Sequence, residues 1–325
     1  MSWLVTGGAG YIGAHVVRAL SAAGIAPVVI DDLSSGHDGF VPAGVPFVRG
    51  SILNRELVEE TLREHEVEGV IHVAGYKYAG VSVTRPLHTY HQNVEGTRIV
   101  LEAMAAAGVT KIVFSSSAAV YGTPDVPLVV EDLPKRPASP YGESKLIGEW
   151  LIADQARATA DTHAPLRHTS LRYFNVVGSA DPSVYDTSPH NLFPIVFEKL
   201  IAGETPRING DDYDTPDGTN VRDYVHVGDI AAAHVAAAQR LIAGEPIEAA
   251  YNLGSQNGLS VREIMDAMAR VTGIAFTPEV GPRRPGDPDR IVATGELAAR
   301  DLDWQMRYSI DEMVRTGWEA RQNAL

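Results

Sequence analysis

Cysteine is absent from the 325 residues, which excludes disulfides, thiolate metal sites and a cysteine nucleophile together. Positive charge is scarce: 27 Lys and Arg face 41 Asp and Glu, giving a formal net charge of -14 and a pI of about 5.2. Binding to nucleic acid or to an anionic membrane without specificity needs clustered cations, so neither partner is expected. Any anionic ligand must be held by local devices. Apolar runs of membrane-spanning length are missing, and MSWLVTGGAG enters a glycine turn without the basic and apolar regions of a signal peptide; a cytoplasmic location is the expectation. Repeats and biased tracts are not evident either. What is present is a globular balance, 45% hydrophobic and 21% charged residues, in a chain long enough for one large domain with an appended lobe or for two domains.

In the first half, short branched apolar runs at 3–6, 27–30, 45–48, 69–73 and 111–115 alternate with spaced apolar patterns at 11–23, 54–66 and 87–107. Buried strands alternating with helices imply a parallel sheet with right-handed crossovers, an α/β doubly wound fold. The second half is broken by loops rich in Pro, Asp and Gly at 181–189, 209–220 and 281–289, the kind of segment that carries substrate contacts. Between them the pattern predicts one helix capped by Asp229 and another opened by Ser260 with Glu263 in a capping box. The expected division is a dinucleotide domain over 1–173, to which the chain returns around 224–253, and a smaller mixed α/β substrate lobe over 174–325.

In TGGAGYIG the glycines Gly7, Gly10 and Gly13 follow a strand and open a helix. Glycine lets the backbone approach a pyrophosphate, and the helix start offers free N–H groups and the positive dipole end. Eighteen residues beyond Gly13, at the next strand end, stand Asp31 and Asp32. A carboxylate there accepts from ribose hydroxyls and repels a 2′-phosphate, which points to NAD over NADP. Capping of the strand end is the plainer role for these two acids.

VFSSSAAVYG brings Ser115, Ser116 and Ser117 to the carboxyl edge of the sheet, where open α/β folds bind ligands; three hydroxyls can also simply form a turn. Twenty-four residues after Ser117 comes Tyr141 in SPYGESK, with Lys145 one helical turn further on the same face. A free phenol ionises near pH ~10, so Tyr141 can act as a base at neutral pH only beside cations, which Lys145 and a nicotinamide ring would supply; Ser117 would hydrogen-bond the reacting oxygen.

Lesser signals weigh less. His88 and His91 in HTYHQN have the spacing of metal ligands but no third partner nearby, and DDYDTPDG has its carboxylates and glycine in the wrong order for a calcium loop, so no metal is expected. PRRPGD sets Arg283 and Arg284 in a Pro/Gly loop, an arrangement suited to bidentate contacts with a diphosphate. Arg222 has Asp223 beside it as an available ion-pair partner.

These stretches, with VIHVAGYK, NVEGT, LRYFNVVG, DGTNVRDYVHVGDIA and YNLGS, run in order along nearly the whole chain. Together they resemble the extended short-chain dehydrogenase/reductases and, more closely, the family of UDP-glucose 4-epimerases. The resemblance implies a Rossmann-like NAD domain, a UDP-sugar lobe, a homodimer built on helices around 87–107 and 141–158, and NAD retained through turnover. It makes Tyr141 the acid/base, Lys145 its electrostatic partner and Ser117 a hydrogen-bond donor to the sugar O4. Tyr11, Ile12, Asp31, Ser34, Ile52, Val73, Ala74, Lys77, Asn93, Ser115 and Phe174 fall where the family contacts NAD. Ser51 stands where members often carry an aspartate that meets the adenine amine. Lys77, Asn175, Asn191, Leu192, Arg207, Asn209, Arg222, Arg284 and Asp287 fall where the UDP-sugar is held, and Ile291 near its 2-substituent. Ala118 and Ala119 replace the Asp and Glu with which related dehydratases eliminate water. The implied activity is 4-epimerisation of UDP-galactose and UDP-glucose. The alternatives are the same reaction on another UDP-sugar, an N-acetylhexosamine or pentose, and a dinucleotide-sensing regulator, which would have no use for Tyr141 and Lys145.

Overall fold

Residues 3–5 are apolar in succession because both faces of their strand are covered: Trp3 and Val5 enter one hydrophobic core and Leu4 the other. The computed structural model describes residues 1–284 and 287–325; Pro285 and Gly286, the centre of the PRRPGD stretch, lie outside the described residues. The first half runs β1 (Ser2–Thr6), α1 (Tyr11–Ala22), β2 (Ala26–Asp31), β3 (Phe47–Arg49), α2 (Arg55–Glu64), β4 (Val67–His72), α3 (Ala79–Thr84), α4 (Pro86–Tyr90), α5 (Gly96–Ala107), β5 (Lys111–Ser117), α6 (Pro140–Thr159) and β6 (Arg167–Tyr173). The second runs β7 (Asn175–Val177), α7 (Leu192–Ile201), β8 (Arg207–Asn209), β9 (Val221–Arg222), β10 (Tyr224–His226), α8 (Val227–Ala243), β11 (Ala250–Leu253), β12 (Leu259–Ser260), α9 (Val261–Thr272), β13 (Glu279–Gly281), β14 (Arg290–Ile291), α10 (Glu296–Leu302) and α11 (Ile310–Asn323).

Seven strands form one parallel sheet in the order β11-β6-β5-β4-β1-β2-β3. The order reverses beside β1, so the crevice at its carboxyl end is the topological switch point. Helices α1 and α8 cover one face, where Val16, Leu20, Ala237 and Leu241 meet Trp3 and Val113; α2, α5 and α6 cover the other, with Val58, Met104 and Ile152 against Leu4 and Ile112. β11 is the late return of the chain to the sheet. The remaining strands make three small sheets, and a third core gathers Phe193, Phe197, Met265, Met268 and Trp318 beside them.

Three local expectations are corrected. The pattern at 87–107 is not one regular helix, because a π segment at His91–Glu95 separates α4 from α5. Helix α8 is capped by the His226 ring, which accepts from Gly228 N at 3.0 Å, whereas Asp229 lies inside the first turn and, fully buried, accepts from Arg307 N at 2.9 Å and Nε at 3.0 Å. The serines at 115–117 stand at the carboxyl edge of the sheet, and all three belong to β5, which the apolar pattern ends at Ser115. The capping box at Ser260 and Glu263 is present.

Candidate active site

The turn after β1 is built on contacts that only glycine permits. Gly7 has φ 71, and a Cβ there would meet the Ala74 backbone at 2.8 Å; a Cβ at Gly13 would stand 2.1 Å from the Gly7 carbonyl oxygen. Gly10 caps α1 without a side-chain hydrogen bond, so the first-turn amides have no intrahelical partner. Gly7, Gly10, Tyr11, Ile12 and Gly13 line a cleft of about 1140 Å³, which continues past Asp31, Asp32 and Ser34 to Ser51 and Ile52. Asp31 accepts from Ala9 N at 3.0 Å and from Leu33 N at 2.8 Å. Burial pushes its carboxyl up and these two bonds pull it back. Asp32, exposed, accepts from Ser34 N at 2.8 Å. Tyr11 spends its hydroxyl on Gly178 O at 2.5 Å, which leaves its backbone and ring for a ligand. Ser51 Oγ accepts from Leu53 N at 3.2 Å.

The three serines of β5 have three different partners. Ser115 Oγ bonds His234 Nε2 at 2.8 Å, Ser116 Oγ donates to Glu149 Oε1 at 2.5 Å, and Ser117 Oγ accepts from Ala119 N at 3.2 Å. Ser139 caps α6 by accepting from Gly142 N at 3.3 Å, and Pro140 follows at the first helical position. This start sets Tyr141 in the first turn above Lys145. The Lys145 Nζ donates to Ser115 O at 2.8 Å and stands 6.0 Å from the Tyr141 ring centroid and 5.0 Å from that of Phe114. Burial pushes the ammonium down to about 8, with Glu149 acting in the opposite sense. The Tyr141 phenol is pushed up by burial and pulled back by Ser117. The protein's own groups therefore leave it above its ordinary value, and the expected lowering calls on the nicotinamide ring together with Lys145.

Asn93 sits in the π segment with its amide fully engaged: Oδ1 accepts from Tyr76 N at 2.6 Å, and Nδ2 donates to Tyr76 O at 3.0 Å and Ser144 Oγ at 2.8 Å. It ties the loop after β4 to α6 and does not line the cleft. Val73, Ala74, Lys77 and Phe174 do line it. His88 meets the Tyr76 ring edge-on at 4.9 Å.

Across the cleft lie Asn175, Asn191, Leu192, Arg207, Asn209, Arg222, Arg284 and Asp287. Arg222 pairs with Asp287 and donates to Pro288 O at 2.7 Å, so its partner is not the adjacent Asp223. That carboxylate is fully buried, accepts from Ser255 N at 2.9 Å and Ala293 N at 3.0 Å, and is pushed up to about 6 by burial. Asp287 also accepts from Asn220 Nδ2 at 2.9 Å and Tyr213 OH at 3.4 Å, a hub holding three loops. Arg283 does not share the cleft with Arg284: its guanidinium lies 4.1 Å from the Tyr213 ring centroid and pairs with Asp212 at 2.5 Å. Asn209, with its amide oxygen toward Arg284, accepts from Nε and Nη2 at 3.2 Å each. Asn175 Nδ2 donates to Asp223 O at 2.9 Å, and Asn191 Nδ2 to Asp186 Oδ2 at 2.7 Å. Ile291 stands one row behind the wall, against the Tyr121, Val129 and Leu146 cluster that Phe174 also packs on.

Sequence reading missed Glu149, His234 and Asp186. Glu149 was legible, four residues past Lys145 on the same helical stripe; the other two meet the site only through long-range packing. Among the described residues no group of three or more His, Cys, Asp or Glu is placed to hold a metal ion, and no helix is long and apolar enough to cross a membrane.

Residues 3–254 match the NAD dependent epimerase/dehydratase family. A UDP-glucose 4-epimerase of Azospirillum brasilense is 42% identical over 97% of this chain and 91% of its own length. The crystal structure of a UDP-glucose 4-epimerase from Stenotrophomonas maltophila with bound NAD and formylated UDP-arabinopyranose superposes with a TM-score of 0.93 at 36% identity, covering 100% of this chain and 98% of that one. One from Brucella ovis in complex with NAD gives 0.92 at 38% identity, over 98% and 97% of the two chains.

Proposed function

Because the chain belongs to the NAD dependent epimerase/dehydratase family, we propose that it is an NAD-dependent epimerase acting at C4 of UDP-galactose and UDP-glucose through a transient 4-keto sugar. The observation that carries this reading is one cleft joining the glycine turn, Tyr141 with Lys145, and the Arg222 and Arg284 loops. NAD fits the first part: a Cβ at Gly7 or Gly13 would force apart the closely packed backbone that forms the cradle, and Asp31 stands at the far end with its carboxylate held by two amides. Bound there, NAD supplies the acceptor and donor of the C4 hydride.

The remaining work falls to side chains of this chain. Tyr141 takes the proton from the 4-hydroxyl and returns it to the same oxygen once the 4-keto sugar has turned its other face to the hydride donor, Ser117 hydrogen-bonds that oxygen, and the Lys145 ammonium favours the phenolate. Arg222 and Arg284 hold the diphosphate, with Asn175, Asn191, Leu192, Arg207 and Asn209 around the nucleotide and sugar. The dinucleotide domain spans 1–173 and regains the segment around 224–253, and residues 174–325 form the sugar lobe. Cofactor choice is tested by denaturing the purified protein: NAD is expected in near-stoichiometric amount, and recovery of mainly NADP would mean that Asp31 does not read the ribose.

We place the protein in the cytoplasm as a homodimer. α4 and α6 pack together and leave Leu87 and Trp150 exposed, at 82% and 57%, which suits a helical interface over 87–107 and 141–158. Light scattering on the eluted protein should give twice the 34.9 kDa chain mass, and Trp150→Glu should halve it; a wild-type monomer would remove the interface.

A further inference from the structure

Tyr141 and Lys145 belong to a stripe on α6 that continues one turn further to Glu149. The Glu149 side chain is only 10% exposed and is paired with Arg172, 6% exposed. Arg172 Nε donates to Oε1 at 2.9 Å and Nη2 to Oε2 at 2.6 Å, a bidentate pair to which the Ser116 hydroxyl adds a third bond. The other guanidinium nitrogen donates to Tyr121 OH at 2.7 Å and Glu131 O at 3.1 Å, and Tyr121 donates to Asn252 Oδ1 at 2.8 Å. A buried carboxylate this fully fixed cannot swing away from the helix face it shares with Lys145.

The other groups facing Lys145 offer it no negative charge. From β5 come the Phe114 ring and the Ser115 carbonyl. From β4 comes His72, buried between the Thr6 and Thr97 hydroxyls and pushed down to about 3, hence neutral. α6 adds the Tyr141 phenol. The side chain of Asn93 approaches from the π segment beside Gly75. β6 brings Arg172 itself and Tyr173, whose phenol burial pushes up and so keeps neutral. Among the described residues, Glu149 is the carboxylate whose charge reaches the ammonium. Glu149 is itself faced by Arg172, Lys135 and His168.

We propose that Glu149 is a positioning residue that keeps Lys145 protonated in its buried site, and that Arg172 is the counter-charge limiting how strongly it does so. The proposal rests on reading Lys145 as the ammonium partner of Tyr141, yet its test reads the ionisation of Lys145 itself and stands whatever the substrate is. A purely structural ion pair would affect stability when either member is removed; this arrangement moves Lys145 in opposite directions.

The experiment is a pH titration of the full chain labelled with 13Cε-lysine. The lysines are Lys77, Lys111, Lys135, Lys145 and Lys199, and the Lys145 signal is the one lost in Lys145→Arg. In the wild type it should titrate at about 8. Glu149→Gln should lower that midpoint by roughly half a unit or more, and Arg172→Met, which leaves the carboxylate unscreened, should raise it by a comparable amount. If Glu149→Gln does not fold with Arg172 left unpaired, the double variant Glu149→Gln/Arg172→Met carries no buried charge there and should fold with Lys145 below its wild-type midpoint. Midpoints that do not move, or that move the same way in the two single variants, would overturn the proposal.

Discussion

Tyr141→Phe is expected to lower kcat by about 10²–10⁴-fold or more while fold and NAD content stay as in the wild type. The ring is held by contacts that the substitution keeps: Ser139 and Pro140 start the helix, Ser82 Oγ accepts from the residue's own N–H at 3.1 Å, and Ser144 Oγ donates to its carbonyl at 2.7 Å. Only the hydroxyl goes, the group whose ionisation burial opposes and Ser117 eases. Tyr173 lines the same cleft, but burial holds its hydroxyl far above the range of a working base. A variant turning over at the wild-type rate would remove Tyr141 from the chemistry.

The second large effect is on sugar selectivity at Ile291. By resemblance this position lies near the 2-substituent, where family members confined to plain hexoses tend to carry tyrosine and broader ones a small residue. The structure sets Ile291 behind the cleft wall, packed on the cluster that also supports Phe174, which does line the cleft. Isoleucine is shorter than tyrosine but branched and stiff, so the wall it backs should yield to an N-acetyl group only in part. A clear preference for UDP-glucose and UDP-galactose with weak turnover of the N-acetylated pair follows. Ile291→Gly removes the branched side chain from that cluster and should raise relative kcat/KM for UDP-N-acetylgalactosamine by about 10–200-fold, the range for relief of one steric clash. Ile291→Tyr should abolish that activity and spare the hexoses. The ratio of kcat/KM for UDP-galactose over UDP-N-acetylgalactosamine in the three proteins decides it; a ratio indifferent to residue 291 would move the selectivity to another wall.

Local periodicity made the sheet and its order of elements legible, because parallel strands buried on both faces read as continuous apolar runs between helical patterns. Strand ends were off by one or two residues, and at β5 the difference mattered: the polar Ser115–Ser117 stay in register with Leu171–Tyr173 of β6 because their hydroxyls find buried partners. No pattern of apolar residues encodes that. The break in the helix at 91–95 was hidden for a similar reason, since it serves Asn93, whose partners lie in Tyr76 and Ser144. Glycine spacing and the YxxxK motif carried the cofactor turn and the reactive pair, because each needs particular residue types at short range. The arginine loop was only half legible. That Arg284 faces the cleft while Arg283 turns to Tyr213 and Asp212, and that Asp287 and not Asp223 holds Arg222, depends on loops 65 to 75 residues apart in sequence.

Incubation of the purified protein with UDP-galactose, with no nicotinamide cofactor added, tests the central claim most directly. UDP-glucose should appear, approaching an equilibrium mixture that is reached equally from UDP-glucose, with no accumulation of free NADH. Failure to form UDP-glucose by a protein that has retained its NAD, or a stoichiometric build-up of NADH and an oxidised sugar, would contradict it.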